Sequence, residues 1–282
     1  LTTVGEYRAQ WGEGPIWWEG ALYYVDIEGH RVLRFDPETG EEQSWEVGQR
    51  VGTVVPRLRG GLVIAGDTGF WFLDDASGDL KAIADPEPDK ENNRFNDGKC
   101  SPDGRFFAGT ISLVKEKGGA SLYRLDPDGS VATAFEGVTN SNGIVWSLDG
   151  GTVYYIDTPR RAVLAFDYRA ETGLLSGERT AFSTAEAVDA SPDGMSIDRD
   201  GNLWIAFCHG SCVVCFDHSG RILHRIELPC REVTAAAFGG AALDELYITT
   251  GQPGSEVEAE AGRLFVVRGL GVTGTPANSF AG

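Results

Sequence analysis

Short apolar runs, each closed by a turn former, recur six times along the chain: Leu22–Asp36, Leu62–Asp74, Arg105–Asp126, Val153–Asp167, Leu203–Asp217 and Leu246–Arg268. Each unit holds two β-rich segments about a turn, and in the third and sixth units an insertion separates them. Tyr, Phe, Trp, Val and Ile dominate, side chains that pack well on a pleated surface. The units start roughly 40 to 50 residues apart, the period of four-stranded propeller blades. Turn tracts such as Asp36–Gly40, Asp126–Gly129 and Asp149–Gly151 separate them. No stretch sustains the 3.6-residue period of a helix, and no Ser/Pro-rich linker divides the chain. The pattern predicts an all-β protein, a six-bladed β-propeller forming one domain over residues 1–282. By analogy with other closed rings, a strand near Thr2–Arg8 is expected beside the C-terminal run Arg263–Arg268 in one blade.

Composition sharpens this reading. The 38 glycines favour many tight turns over long helices. A net charge of −18 repels phosphate backbones, which argues against a nucleic-acid partner. It also attracts divalent cations without locating a site. No apolar run reaches the ~18 residues of a membrane-spanning helix, and the start of the chain shows no basic stretch followed by an apolar one, so neither a membrane anchor nor a signal peptide is expected. Five cysteines, an odd number, argue against a disulfide framework and for a reducing, cytoplasmic setting. Cys208, Cys212 and Cys215, with His209, invite a zinc reading. Cys212 and Cys215 lie three apart in a strand-like run, where they point to opposite faces. These thiols are therefore read as small buried hydrophobes.

Four polar, glycine-flanked tracts stand just ahead of apolar segments expected to be inner strands: Gly12–Pro15, Arg94–Gly98, Ser141–Gly143 and Pro192–Met195. One Asn-Gly or Asp-Gly is a common turn and means little. Four at equivalent blade positions, each with an oxygen-bearing side chain, point to the central channel. Glu13, Asn142 and Asp193 would offer two carboxylates and one amide carbonyl. Such hard donors suit Ca²⁺, Mg²⁺ or Mn²⁺, with Zn²⁺ or iron(II) less favoured. Three protein ligands leave positions open for water and substrate, and a metal held there can polarise a carbonyl and activate water. His30, His209, His218 and His224 are expected in turns or between strands. The chain has neither a Gly-x-Ser-x-Gly elbow nor a glycine-rich phosphate loop, which argues against a serine–histidine hydrolase and a nucleotide site.

The tracts Gly12–Trp17, Asn92–Thr110, Ser141–Gly150, Tyr154–Thr158, Pro192–Asp198 and Gly269–Gly274 resemble the regucalcin (senescence marker protein), gluconolactonase and luciferin-regenerating enzyme family. The resemblance runs from about Glu6 to Gly282. It implies a six-bladed propeller with one divalent cation in the channel and hydrolysis of an aldonolactone. Matched motif by motif, it places metal ligands at Glu13, Asn142 and Asp193, with Asp193 also the general base, and substrate contacts at Arg94 and Asn96. One departure stands out. A glutamate that contacts sugar hydroxyls in mammalian relatives has no counterpart after Thr110, where Ile111–Val114 follow in a shorter loop. That implies a less polar pocket wall. A small-molecule lactone is the expected partner of a monomer or weak homo-oligomer; the alternatives are other lactones, esters or organophosphates, or calcium or small-molecule binding without turnover.

Overall fold

In the computed structural model, which describes residues 1–254 and 258–282, six four-stranded antiparallel sheets form a six-bladed β-propeller. Blade 1 comprises Gly12–Trp18, Ala21–Asp26, Arg31–Phe35 and Glu42–Glu46, in that order outward. Blades 2 to 5 repeat the scheme from Val51–Pro56, Asn93–Cys100, Ser141–Trp146 and Ser191–Ile197. The sixth begins with Val233–Gly239, continues through Glu245–Thr250 and Leu264–Val267, and ends with the N-terminal strand Thr2–Val4. Thr3 pairs with Phe265, so the two ends of the chain close the ring in the expected blade. The six sequence repeats correspond to the second and third strands of each blade. Part of the sixth unit's insertion, residues 255–257, lies outside the described residues. The only helical segment among the described residues is the 3-10 turn Thr158–Arg160, and no helix is long and apolar enough to cross a membrane.

Burial falls from the axis outward. The first strands of blades 2, 4 and 6 are buried along their whole length, whereas the fourth strand of blade 5, Ile222–Glu227, is almost wholly exposed. Each first strand lies against the first strands of both neighbours around a closed circuit. That crowding explains why they are rich in small residues. A Cβ on Gly194 would stand 2.4 Å from Ala235 Cβ, and one on Gly143 would stand 2.5 Å from Met195 Cβ. Further out, large aromatics fill the wedges between blades: Trp17 stacks on Tyr247 at 5.5 Å, Phe70 meets Phe95 at 4.6 Å, and Trp204 meets Phe238 edge-on at 5.6 Å.

An aspartate at the end of the second strand clamps the segment entering the first. Asp26 accepts hydrogen bonds from the Gln10 and Trp11 N–H groups, and Asp157 from those of Thr139 and Asn140. These clamps set where the first strands of blades 1 and 4 begin, and with them the positions of Glu13 and Asn142. Cys212 and Cys215 pack in different apolar clusters, one with Phe207 and the other with Trp204 and Phe238. His224 is not between strands: it lies within Ile222–Glu227, its ring stacked on Trp204 at 5.6 Å. The imidazole covers one face of Trp204, which is fully buried.

Candidate metal centre

The four polar tracts are not turns ahead of the inner strands; they lie inside the first strands of blades 1, 3, 4 and 5. Their turn-like composition has a structural cause. Each of these strands carries a register irregularity at the tract, between Glu13 and Ile16, Phe95 and Gly98, Ser141 and Ile144, and Pro192 and Met195. A β-bulge adds unpaired residues, bends the strand and re-aims a side chain. Glycine allows the bend and the close approach of the neighbouring strand. The bulged residues thus face the axis at one end of the channel instead of alternating with the pleat.

Glu13, Arg94, Asn96, Asn142 and Asp193 are all buried, at 3, 8, 8, 3 and 7 % exposure. Arg94 Nη1 donates to Asn96 Oδ1 at 2.8 Å, and Asn96 Nδ2 donates to Asn142 Oδ1 at 2.9 Å and to the Ser141 carbonyl at 2.7 Å. Asn142 Nδ2 in turn donates to Thr158 Oγ1 at 2.7 Å, and that hydroxyl donates to the Pro192 carbonyl, next to Asp193, at 2.9 Å. A continuous hydrogen-bonded chain therefore runs from Arg94 through blade 4 to the residue before Asp193. It fixes Asn142 with its Nδ2 turned to Thr158.

The electrostatics are those of acids packed together in a dry channel. Burial, then the Asp97 charge, pushes Glu13 up to about 8, and burial followed by the Glu13 and Asp97 charges holds Asp193 well above the usual carboxylate range. Each of the two carboxyls raises the cost of ionising the other, so the pair resists carrying two negative charges in the absence of a cation. Among the described residues the only backbone donor to Glu13 is the Gly14 N–H, at 2.7 Å. Asp97, buried and bonded to the Gly98 N–H at 2.7 Å, adds a third carboxyl. Burial depresses the Lys99 ammonium, which donates to the Met195 carbonyl. Asp97 and Lys99 border a void of about 10 Å³ on the axis. A divalent cation fits this donor set: clustered oxygens, excess acid and few competing hydrogen-bond donors. The Arg94 Nε is buried with no partner among the described residues, a donor available to water or a bound molecule.

The reading of residue types missed Asp97 and Lys99. Asp97 lies in the Arg94–Gly98 tract and Lys99 directly follows it, and the usable signal was register. Asp97 precedes Gly98 as Glu13 precedes Gly14, and each carboxylate accepts the N–H of the glycine that follows. A cavity of about 270 Å³ is at the opposite end of the channel, lined by Trp17, Lys99, Trp146, Ser196, Phe238 and Pro276. It touches none of the five residues named from the sequence, and the buried acids mark the chemistry better than cavity size does.

These features define a class: a six-bladed propeller with an oxygen-donor site where its bulged inner strands meet. Residues 11–252 match the family model described as the SMP-30/gluconolactonase/LRE-like region, and the chain belongs to that family. It is 44% identical to regucalcin of Danio rerio over 281 residues, covering 96% of this chain and 95% of the relative. The solved structure of a calcium-binding protein, regucalcin, from Agrobacterium tumefaciens superposes with a TM-score of 0.91 at 26% identity, covering 99% of both chains. A gluconolactonase from Xanthomonas campestris superposes with a TM-score of 0.75 at 27% identity, over 92% of this chain and 86% of that one.

Proposed function

We propose that the chain is a divalent-metal-dependent lactonase that hydrolyses a sugar-type lactone, an aldonolactone such as gluconolactone, to the open hydroxy acid. The observation that carries this reading is the buried Glu13–Asp193 pair beside the Arg94–Asn96–Asn142 chain. Family membership and likeness to the Xanthomonas campestris gluconolactonase support it. Glu13, Asn142 and Asp193 would hold the ion. When bound, it would supply Lewis-acid polarisation and a water of lowered pKa.

The remaining chemistry falls to the chain's own groups. Arg94 and Asn96 orient the lactone ring against the inner strands. Asp193 takes the proton from the attacking water, the role of a carboxylate whose burial keeps it basic. The Arg94 guanidinium faces the oxyanion formed at the carbonyl, where a preorganised donor in a dry site contributes most. Beyond Thr110, Leu113 and Val114 are exposed, and a wall of this kind favours a lactone with fewer hydroxyls on that side. The five free cysteines fit a reducing, cytoplasmic setting. A pH-drop assay over a panel of aldonolactones and less polar lactones, with Mn²⁺, Zn²⁺, Ca²⁺ or Mg²⁺, should show acid release with at least one pairing. Silence across the panel, with one of these ions bound, would favour a binding protein without turnover, a reading supported by the calcium-binding Agrobacterium tumefaciens neighbour.

A further inference from the structure

Cys208, His209 and Glu232 bring a second group of donor atoms together, all within 4.8 Å of one another. Cys208 ends the second strand of blade 5 and pairs with Ser191, at the same end of the channel as Asp193. Glu232 immediately precedes the first strand of blade 6. In blades 1 and 4 the corresponding place in the register is filled by the clamp aspartates, Asp26 opposite Gly12 and Asp157 opposite Ser141. Blade 5 has a thiol there instead. Glu232, from the edge of the next blade, meets it: its Oε2 receives the His209 N–H at 3.1 Å and lies 3.2 Å from Cys208 Sγ.

The spacing can be compared with that of a metal site. His209 Nδ1 is 2.6 Å from Glu232 Oε2, and Cys208 Sγ is 3.9 Å from the imidazole nitrogens. Tetrahedral zinc, with Zn–S near 2.3 Å and Zn–N and Zn–O near 2.0 Å, implies donor–donor edges of roughly 3.3–3.6 Å. The sulfur–oxygen and sulfur–nitrogen edges already lie close to that range. Only the nitrogen–oxygen edge must open, by about 0.7 Å, and the His209 side chain, 51% exposed, is free to turn. Cys208 and Glu232, at 7% and 4% exposure, are held by the core.

We propose that Cys208, His209 and Glu232 bind one Zn²⁺ ion that joins blades 5 and 6 beside Asp193. A thiolate and an imidazole select a borderline cation over Ca²⁺ or Mg²⁺, which prefer all-oxygen ligands. The two cation sites of this chain are therefore chemically separate. His209 lies on the solvent side, so the fourth position is open to water. Zinc binds the thiolate, so uptake at Cys208 releases a proton and affinity rises with pH.

The test uses the full chain, stripped with a chelator and titrated with Co²⁺ without oxygen as a spectroscopic stand-in for zinc. The expected result is a near-ultraviolet thiolate-to-cobalt charge-transfer band that persists in Glu13→Gln and disappears in Cys208→Ser. His209→Ala, at an exposed turn whose loss leaves the core intact, should weaken the cobalt affinity read from that band by at least about tenfold, the lower end of what losing even an outer-sphere partner costs. The proposal is overturned if the wild-type protein shows no band at saturating cobalt, if the band survives Cys208→Ser, or if His209→Ala leaves the affinity unchanged. The band reports sulfur ligation alone, so its outcome is independent of lactone hydrolysis.

Discussion

Glu13→Gln should stabilise the metal-free protein while removing its ability to gain stability from a cation. Glu13 ionises in the unfolded chain near its model value of 4.5 but in the fold only at about 8, because burial and then the Asp97 charge oppose ionisation. A group raised in this way gives its full contribution below the unfolded pKa and loses it as pH climbs through the folded one. At about pH 7 the unfolded state has lost the proton and the folded state still holds it. The difference spans roughly 2.5 units at about 1.4 kcal/mol each, so at most about 3.5 kcal/mol. At about pH 5 it shrinks to under ~1 kcal/mol. Glutamine keeps the bond from the Gly14 N–H, which is 2.7 Å long in the wild type, and does not titrate. Denaturant melts with chelator at the two pH values should therefore show the variant ahead at neutral pH, with the gap closing in acid. With a cation at ~100 times its Kd the gap at neutral pH should narrow sharply, because the wild type gains about 2.7 kcal/mol and the variant does not. A variant no more stable than wild type at neutral pH, or a gap that ignores pH, would refute this account of the channel.

Gly194→Ala should cost the ~1–3 kcal/mol of stability typical of overpacking, read as a lower melting temperature, since the new Cβ would crowd Ala235 Cβ at the axis. Asn96→Ala breaks the link between Arg94 and Asn142, at 2.8 and 2.9 Å; kcat/KM should fall ~10–100-fold, the range for loss of a residue that orients ligands, with secondary structure unchanged by circular dichroism. Alkaline melts should fall away above about pH 10: burial first, then Asp26, pushes Tyr7 up to about 12, and burial likewise raises Tyr155, so their stabilising protonated state is lost as pH rises. Tyr155→Phe should flatten that decline while losing ~1 kcal/mol near neutrality, through the hydroxyl's 2.7 Å bond to Ser141 Oγ.

The propeller was legible because the second and third strands of every blade repeat the same aromatic and β-branched pattern about a turn. The innermost strands were not, because crowding at the axis fills them with glycine and their bulges look like turn dipeptides. Glu13, Asn142 and Asp193 could be named from residue type and family resemblance, but where they lie relative to one another depends on how three blades close around one axis, which no local spacing encodes. Asp97 was passed over because Asn96-Asp97-Gly98 has the composition of a turn. The Cys208 cluster was dismissed on the separation of Cys212 and Cys215, which is correct for that pair. Its third donor, Glu232, is 24 residues from Cys208 and in the next blade.

The central claim is that a cation held by Glu13, Asn142 and Asp193 supports lactone hydrolysis with Asp193 as the base. The most direct measurement follows lactone hydrolysis by wild type and Asp193→Ala after chelation and after metal return. The account predicts that wild-type activity disappears with chelator and returns with one of the divalent ions. It also predicts that Asp193→Ala stays at least ~10²-fold slower with the ion present, the low end for loss of a general base. Hydrolysis that withstands full chelation, or an Asp193→Ala variant within about tenfold of wild type, would contradict it.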